Sequence, residues 1–131
     1  MPAVVLSEHM PSSSARVISI RLKIPDNEAY TALTALRRLG VAVDRLERAE
    51  IVWLAPGAEP TFNPNKHVVT DLASDEPREG ETWVEETGFP GRAVAWRLYD
   101  ADGLPAARPV VEFAAERLLC NPAIEKARFH T

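Results

Sequence analysis

Asn121-Pro122 interrupts the C-terminal part of the chain, where the apolar run Val110 to Leu119 stops and a last segment, Ala123 to Phe129, remains. Proline disfavours helical geometry at the residue before it and has no N–H to continue a helical ladder. The stretch Leu118-Leu119-Cys120-Asn121-Pro122-Ala123-Ile124-Glu125 is therefore expected to close one apolar helix and open one short strand. A similar helix stands near the front, so the chain is constrained to use a strand–helix–strand unit twice.

The first unit reads clearly. From Arg16 to Ile24 the residues alternate, with Ile18, Ile20, Leu22 and Ile24 on one side and Val17, Ser19, Arg21 and Lys23 on the other, the pattern of a half-buried strand. Pro25-Asp26-Asn27 breaks it, and Asp26 or Asn27 caps the following helix, which carries Ala29, Tyr30, Leu33, Leu36 and Leu39 at helical spacing. Arg37 and Arg38 suit the negative end of the helix dipole, and Gly40 supplies a left-handed stop. Val41 to Leu54 predicts a strand with a bend or bulge in its charged middle, Asp44 to Glu50. Its last part, Ile51-Val52-Trp53-Leu54, is apolar on both faces.

Residues 55–91 are of a different character, punctuated by Pro56, Gly57, Pro60, Pro64, Pro77 and Gly80, and they predict a long loop insertion. Within it His67 to Leu72 suggests a helical turn and Glu81 to Glu86 an additional strand. Arg92 to Tyr99 alternates again, with Val94, Trp96 and Leu98 on one face, and Asp100-Ala101-Asp102-Gly103 turns the chain. Pro109 fits the first turn of the second helix, where Val110, Phe113, Ala114, Arg117 and Leu118 recur at helical spacing.

This order predicts an α+β fold: a ferredoxin-like split βαβ sandwich of one four-stranded antiparallel sheet with both helices on one face and a long insertion between the halves. Residues 1–15 are expected to be a flexible N-terminal tail, and 16–131 one domain, as suits a chain of 131 residues. The helices would cover Ile18, Ile20, Leu22, Val94, Trp96 and Leu98. Ile51, Trp53, Ala95 and Tyr99 would then lie on an open sheet face, beside Ser19 and Arg21, and form a candidate oligomer interface. A homo-oligomer is the expected consequence.

Charge and composition narrow the function. A net charge of -4 gives no cationic footprint for a phosphate backbone, so nucleic acid is not an expected partner. No stretch has the length and apolarity of a membrane span, and residues 1–15 lack the cationic start and apolar run of a secretory signal, so a cytoplasmic location is expected. Cys120, the single cysteine, reads as a small apolar residue at a helix end and not as a reactive thiolate.

The residues quoted from the two units resemble one family. Glu116-Arg117-Leu118-Leu119-Cys120-Asn121-Pro122-Ala123-Ile124-Glu125 is similar to the Leu-Leu-Ala-Asn-Pro-Val-Ile-Glu of the PurS small subunit of phosphoribosylformylglycinamidine synthase (formylglycinamidine ribonucleotide amidotransferase). Asp26-Asn27-Glu28-Ala29 sits where that family has Asp-Pro-x-Gly, and Ala35-Leu36-Arg37-Arg38-Leu39-Gly40 resembles its Ala-Leu-x-x-Leu-Gly. The family's Arg-x-Gly-Lys falls on Glu47-Arg48-Ala49-Glu50, where a basic pair becomes acidic. The resemblance implies a non-catalytic, oligomeric assembly subunit of purine biosynthesis that bridges glutaminase and synthetase subunits. The alternative is a stand-alone regulatory domain that binds a small metabolite in the manner of ACT domains, and a third reading is a small enzyme built from the 55–91 loop.

No catalytic, metal or cofactor constellation is read from the residues. His67 and Asp71 would share a helical face, but two ligands do not make a zinc site, and His9, His130 and Cys120 add no third by spacing. Asn63, Asn65, Lys66 and His67 form a candidate anion-binding loop, set against the ordinary reading of a solvated turn. Asp75, Glu76, Glu79, Glu81, Glu85 and Glu86 read as a solvated acidic segment, because acid/base work needs burial or a partner to shift a pKa. Ser12 to Ser14 lie in the tail, and no nucleophile elbow or phosphate-cradling glycine loop is present.

Overall fold

A computed structural model describes residues 16–131, so the expected tail, His9 and the serines at 12–14 lie outside the described residues. The order is β1 (Arg16–Leu22), α1 (Asn27–Arg38), β2 (Arg45–Leu54), β3 (His67–Asp71), β4 (Glu81–Glu86), β5 (Arg92–Tyr99), α2 (Arg108–Ala114) and β6 (Glu125–Phe129). The strands form one six-stranded sheet in the order β3-β1-β2-β5-β4-β6, every neighbouring pair antiparallel.

The α+β class and the helix layer match the sequence reading, while the connectivity differs by half. In the second unit β4 pairs with both β5 and β6, so β5 and β6 run parallel with β4 between them. In the first unit β1 and β2 are direct antiparallel neighbours, with no strand between them. The insertion 55–91 is the reason for the larger sheet: it supplies β3 at one edge and β4 inside. His67 to Asp71 is a strand and not a helical turn, because Val68, Val69 and Thr70 favour extended backbone and β1 offers a free edge.

β2 also runs straight where a bulge was expected. Its register with β5 is unbroken from Arg45↔Tyr99 to Val52↔Arg92. The charges are accommodated across the ladder, where Glu50 pairs with Arg92 and Glu47 accepts from the Tyr99 hydroxyl at 2.9 Å.

Both helices pack on one face, over Leu46, Leu98, Trp96 and Phe129. α1 starts at Asp26, whose Oδ1 accepts from the backbone N–H of Glu28 and Ala29 at 3.0 and 3.2 Å. It stops at Gly40, in the left-handed region at φ +85°, with Val41 N–H returning to the Leu36 carbonyl. α2 passes into a wide π-helical turn, Ala115–Leu119, in which the Cys120 N–H reaches the Ala115 carbonyl. The wide turn moves the buried stripe by one residue, so Leu119 is buried and Leu118 is 42% exposed.

Asn121 then turns the chain. Its side-chain oxygen accepts from Ala123 N–H at 3.1 Å, its own N–H donates to Glu125 Oε1 at 2.7 Å, and its carbonyl accepts from Glu125 N–H. Asparagine and glutamate four residues apart thus hold the helix-to-strand corner from both sides.

The second sheet face is not open. β3 and β4 lie four strand spacings apart, roughly 19 Å, a distance that extended residues 72–80 span easily. Because the helices fill the first face, this segment crosses the second as a strap. Leu72 packs on a cluster of Ile51, Trp83, Ala93 and Ala95. The strap is tied down where Arg128 donates to the Asp75 carbonyl at 2.9 Å and His130 Nδ1 to that of the buried Pro77 at 3.1 Å. Ile51, Ala95 and Tyr99, expected on an exposed face, are 1%, 2% and 8% accessible, and Trp53 is half-buried edge-on against Trp83. The apolar pattern was read correctly, but its cover comes from the same chain.

Candidate functional site

The lengths of the β-ladders create an opening inside the sheet. β1 pairs with β2 only from Arg16↔Leu54 to Ile20↔Glu50, then continues along β3 to Leu22↔His67. β2 meanwhile stays with β5 as far as Arg45. Past Ile20 and Glu50, β1 and β2 diverge, and the first turn of α1 bridges the fork above them.

The fork opens to the surface as a cleft of about 720 Å³. Its apolar lining includes Leu22, Pro25, Leu33 and Leu46, and Tyr30, 71% exposed on α1, overhangs it. The location explains why Tyr30 stays outside the core despite its helical spacing: the sheet beneath that face of α1 has parted.

Arg21, Lys23, Arg45 and Arg48 line the cavity against two carboxylates, Asp26 and Glu47. In a chain of net charge -4 this is a local reversal of sign. Arg48 Nη2 pairs with Glu28 at 2.9 Å and Nη1 lies 3.9 Å from Asp26, while its buried Nε has no hydrogen-bond partner. Its guanidinium also stands 5.6 Å from the Trp96 ring centroid. Arg45 stacks 3.8 Å over the Tyr99 ring and pairs with Glu47 at 2.7 Å. Lys23 Nζ donates to the Pro64 carbonyl, which holds the β3 approach against β1. Burial, followed by the bond to Glu47, raises the Tyr99 hydroxyl above its ordinary pKa, so it stays protonated as a donor.

The polar groups of the fork are guanidinium and ammonium donors that match carboxylate or phosphate oxygens, and the apolar lining accommodates the body of a small molecule. Cys120 stands apart at the end of α2, and burial, with a smaller contribution from Glu125, pushes its thiol pKa up. Among the described residues no group of three or more His, Cys, Asp or Glu is placed to hold a metal ion.

The candidate anion-binding loop is used locally. Asn63 Oδ1 accepts from Asn65 N–H at 2.9 Å, and the Asn63 carbonyl accepts from the N–H groups of Lys66 and His67. Asn63 N–H donates to His67 Nδ1 at 3.2 Å. The two amides and the imidazole therefore hold a turn, leaving Lys66 exposed beside it. Asp71 pairs with Arg16 at 2.9 Å, so His67 and Asp71 do not converge. Glu47 and Glu50, the acidic departures from the PurS pattern, are engaged in cross-strand bonds within the chain.

Sequence reading placed Arg21 and Lys23 on the strand side away from the helices, with Arg21 on the sheet face expected to meet a second copy, and gave Arg45 and Arg48 no role. The paired cations Arg45 and Arg48 were visible, but the early end of the β1–β2 ladder was not. No protein-family description, curated protein or solved structure matches the chain.

Proposed function

We propose that this chain is a non-catalytic regulatory domain that binds a small anionic metabolite in the fork between β1 and β2. The observation that carries the reading is the conjunction of a 720 Å³ cavity with four cationic side chains against two carboxylates, on a protein that is otherwise acidic. With Arg48 already paired to Glu28, the remaining excess suits one anionic group, such as the phosphate of a monoester or a carboxylate, whose body rests on Leu22, Leu46 and Tyr30. Such a ligand raises the melting temperature with its concentration, because it binds only the folded state. Thermal shift with ribose 5-phosphate and with succinate tests this, using Lys23→Glu with Arg45→Glu as the control. No rise with either probe, or an equal rise in the double variant, removes the reading.

A second reading, the assembly subunit resembling PurS, draws on a different surface. Thr31, Ala32, Ala35, Trp96, Leu118 and Leu119 line an open groove of about 450 Å³ between α1 and the end of α2, beside the Asn121-Pro122 corner. In this reading the groove, and not the second sheet face, meets a glutaminase or synthetase subunit or a second copy. Co-purification with such subunits, abolished by Leu118→Glu, supports it. A monomer that captures neither subunit removes it.

A further inference from the structure

Beneath the strap, two N–H donors are buried without acceptors. Trp83 is 1% exposed and its Nε1 has no hydrogen-bond partner; the Nε of Arg97 is likewise buried and unpaired. Native proteins leave few such groups unsatisfied, because the lost hydration is not replaced. Their positions are related by the ladder: Trp83 pairs with Ala95 and Glu81 with Arg97, so both lie on the strap side as diagonal neighbours on adjacent strands.

Arg97 lies in a cross-strand row between Glu47 and Glu81 and is paired with neither. Glu81, itself 4% exposed, takes Arg78 through its side chain at 3.1 Å and its backbone N–H at 2.8 Å. Glu47 is taken by Arg45 and the Tyr99 hydroxyl. Arg48 pairs with Glu28, and of the two guanidiniums lining this face without an ion pair among the described residues, Arg21 is exposed and Arg97 is the partly buried one. Next to these groups are two cavities of about 100 and 160 Å³ that share Ser19, Ala49, Leu72, Arg78 and Glu81 as walls. The second is mostly apolar toward Ile51 and Trp83.

We propose that this cleft, which adjoins the fork and shares Arg21, Glu47 and Arg48 with it as walls, is a binding site for a small aliphatic monocarboxylate. Arg97 stands 5.3 Å from the Tyr99 ring centroid and is flanked across the ladder by Glu47 and Glu81, so its guanidinium has room for one further negative charge, and its Nε–H and Nη–H edge matches the two oxygens of a carboxylate. The indole N–H of Trp83 is the second donor, and Ala49, Ile51 and Leu72 receive the short hydrocarbon. A phosphate dianion is disfavoured by the adjacent Glu47 and Glu81.

The test follows the indole N–H resonance of Trp83, assigned with Trp83→Phe, during titration with acetate, butyrate and inorganic phosphate at constant ionic strength. The resonance is expected to move saturably with both carboxylates, more tightly with butyrate, and not with phosphate. Arg97→Met should weaken binding at least tenfold. If that variant does not fold, Arg97→Lys, which keeps the charge and loses the Nε–H, should show the same loss. Lys23→Glu, which changes a residue that lines the fork and not the cleft, should retain the response, which separates this site from the fork. An unmoved resonance, an equal response to phosphate, or an unchanged response in the folded Arg97 variant overturns the proposal.

Discussion

Truncating Ile51 to alanine tests whether the second sheet face belongs to the core of one chain or to a contact between chains. Ile51 is 1% exposed, below the strap, among Ala93, Ala95 and the large ring of Trp83. Removing a buried isoleucine down to alanine costs roughly 2–5 kcal/mol, depending on how far the surroundings collapse into the space. Here the adjacent alanines have nothing to extend, and Trp83 is fixed edge-on against Trp53 at 5.6 Å. The site therefore belongs in the upper half of the range, about 4 kcal/mol. For a domain of this size that lowers the melting temperature by roughly 10–20 °C. Urea unfolding followed by tryptophan fluorescence, at low and at high micromolar protein, measures it. The intrachain strap requires the loss to be the same at both concentrations, since unfolding one chain is independent of its neighbours. A midpoint that rises with protein concentration in the parent and not in the variant would refute the reasoning and return Ile51 to an interface.

Gly80 lies at φ +79°, and an added Cβ would fall 2.8 Å from the Pro105 Cβ and 2.9 Å from the Leu98 carbonyl oxygen. Gly80→Ala is expected to cost about 3 kcal/mol by denaturant titration, against about 1 kcal/mol for Gly57→Ala, which has a similar φ and open space; equal losses would contradict the close-approach argument. Because burial and Glu47 raise the folded-state pKa of Tyr99, its contribution to stability is complete below pH 10 and is lost as pH rises through the raised value. Tyr99→Phe should therefore flatten the alkaline end of a stability-versus-pH curve and leave the neutral region's slope unchanged. Asp26→Ala removes the α1 cap at a cost of about 1 kcal/mol in a melting experiment. The same change withdraws a carboxylate from the fork, so anion affinity should rise while stability falls; parallel losses would show that Asp26 supports the site only through the fold.

The elements and their local boundaries follow from short-range chemistry. Asp26 caps α1, Gly40 ends it, Asn121-Pro122 ends the second helical run, and the alternation in β1 and β5 selects Ile18 and Leu98 for the helix side, all legible from residues a few positions apart. The binary pattern also identified Ile51, Ala95 and Tyr99 as residues that require cover. What covers them is a long-range matter: only the pairing of β3 with β1 and of β4 with β5 forces residues 72–80 across that face. The fork has the same origin. Arg21, Lys23, Arg45 and Arg48 look like ordinary strand charges until two ladders end at different points, and a ladder's end depends on which strand offers the next hydrogen-bonding edge. Sequence alone determined both helices, the strands outside residues 55–91 and which side of each is apolar; tertiary pairing decided that His67–Asp71 is a strand, and it decided the cover and the opening, because strand partners far apart in the chain are chosen by the whole sheet at once.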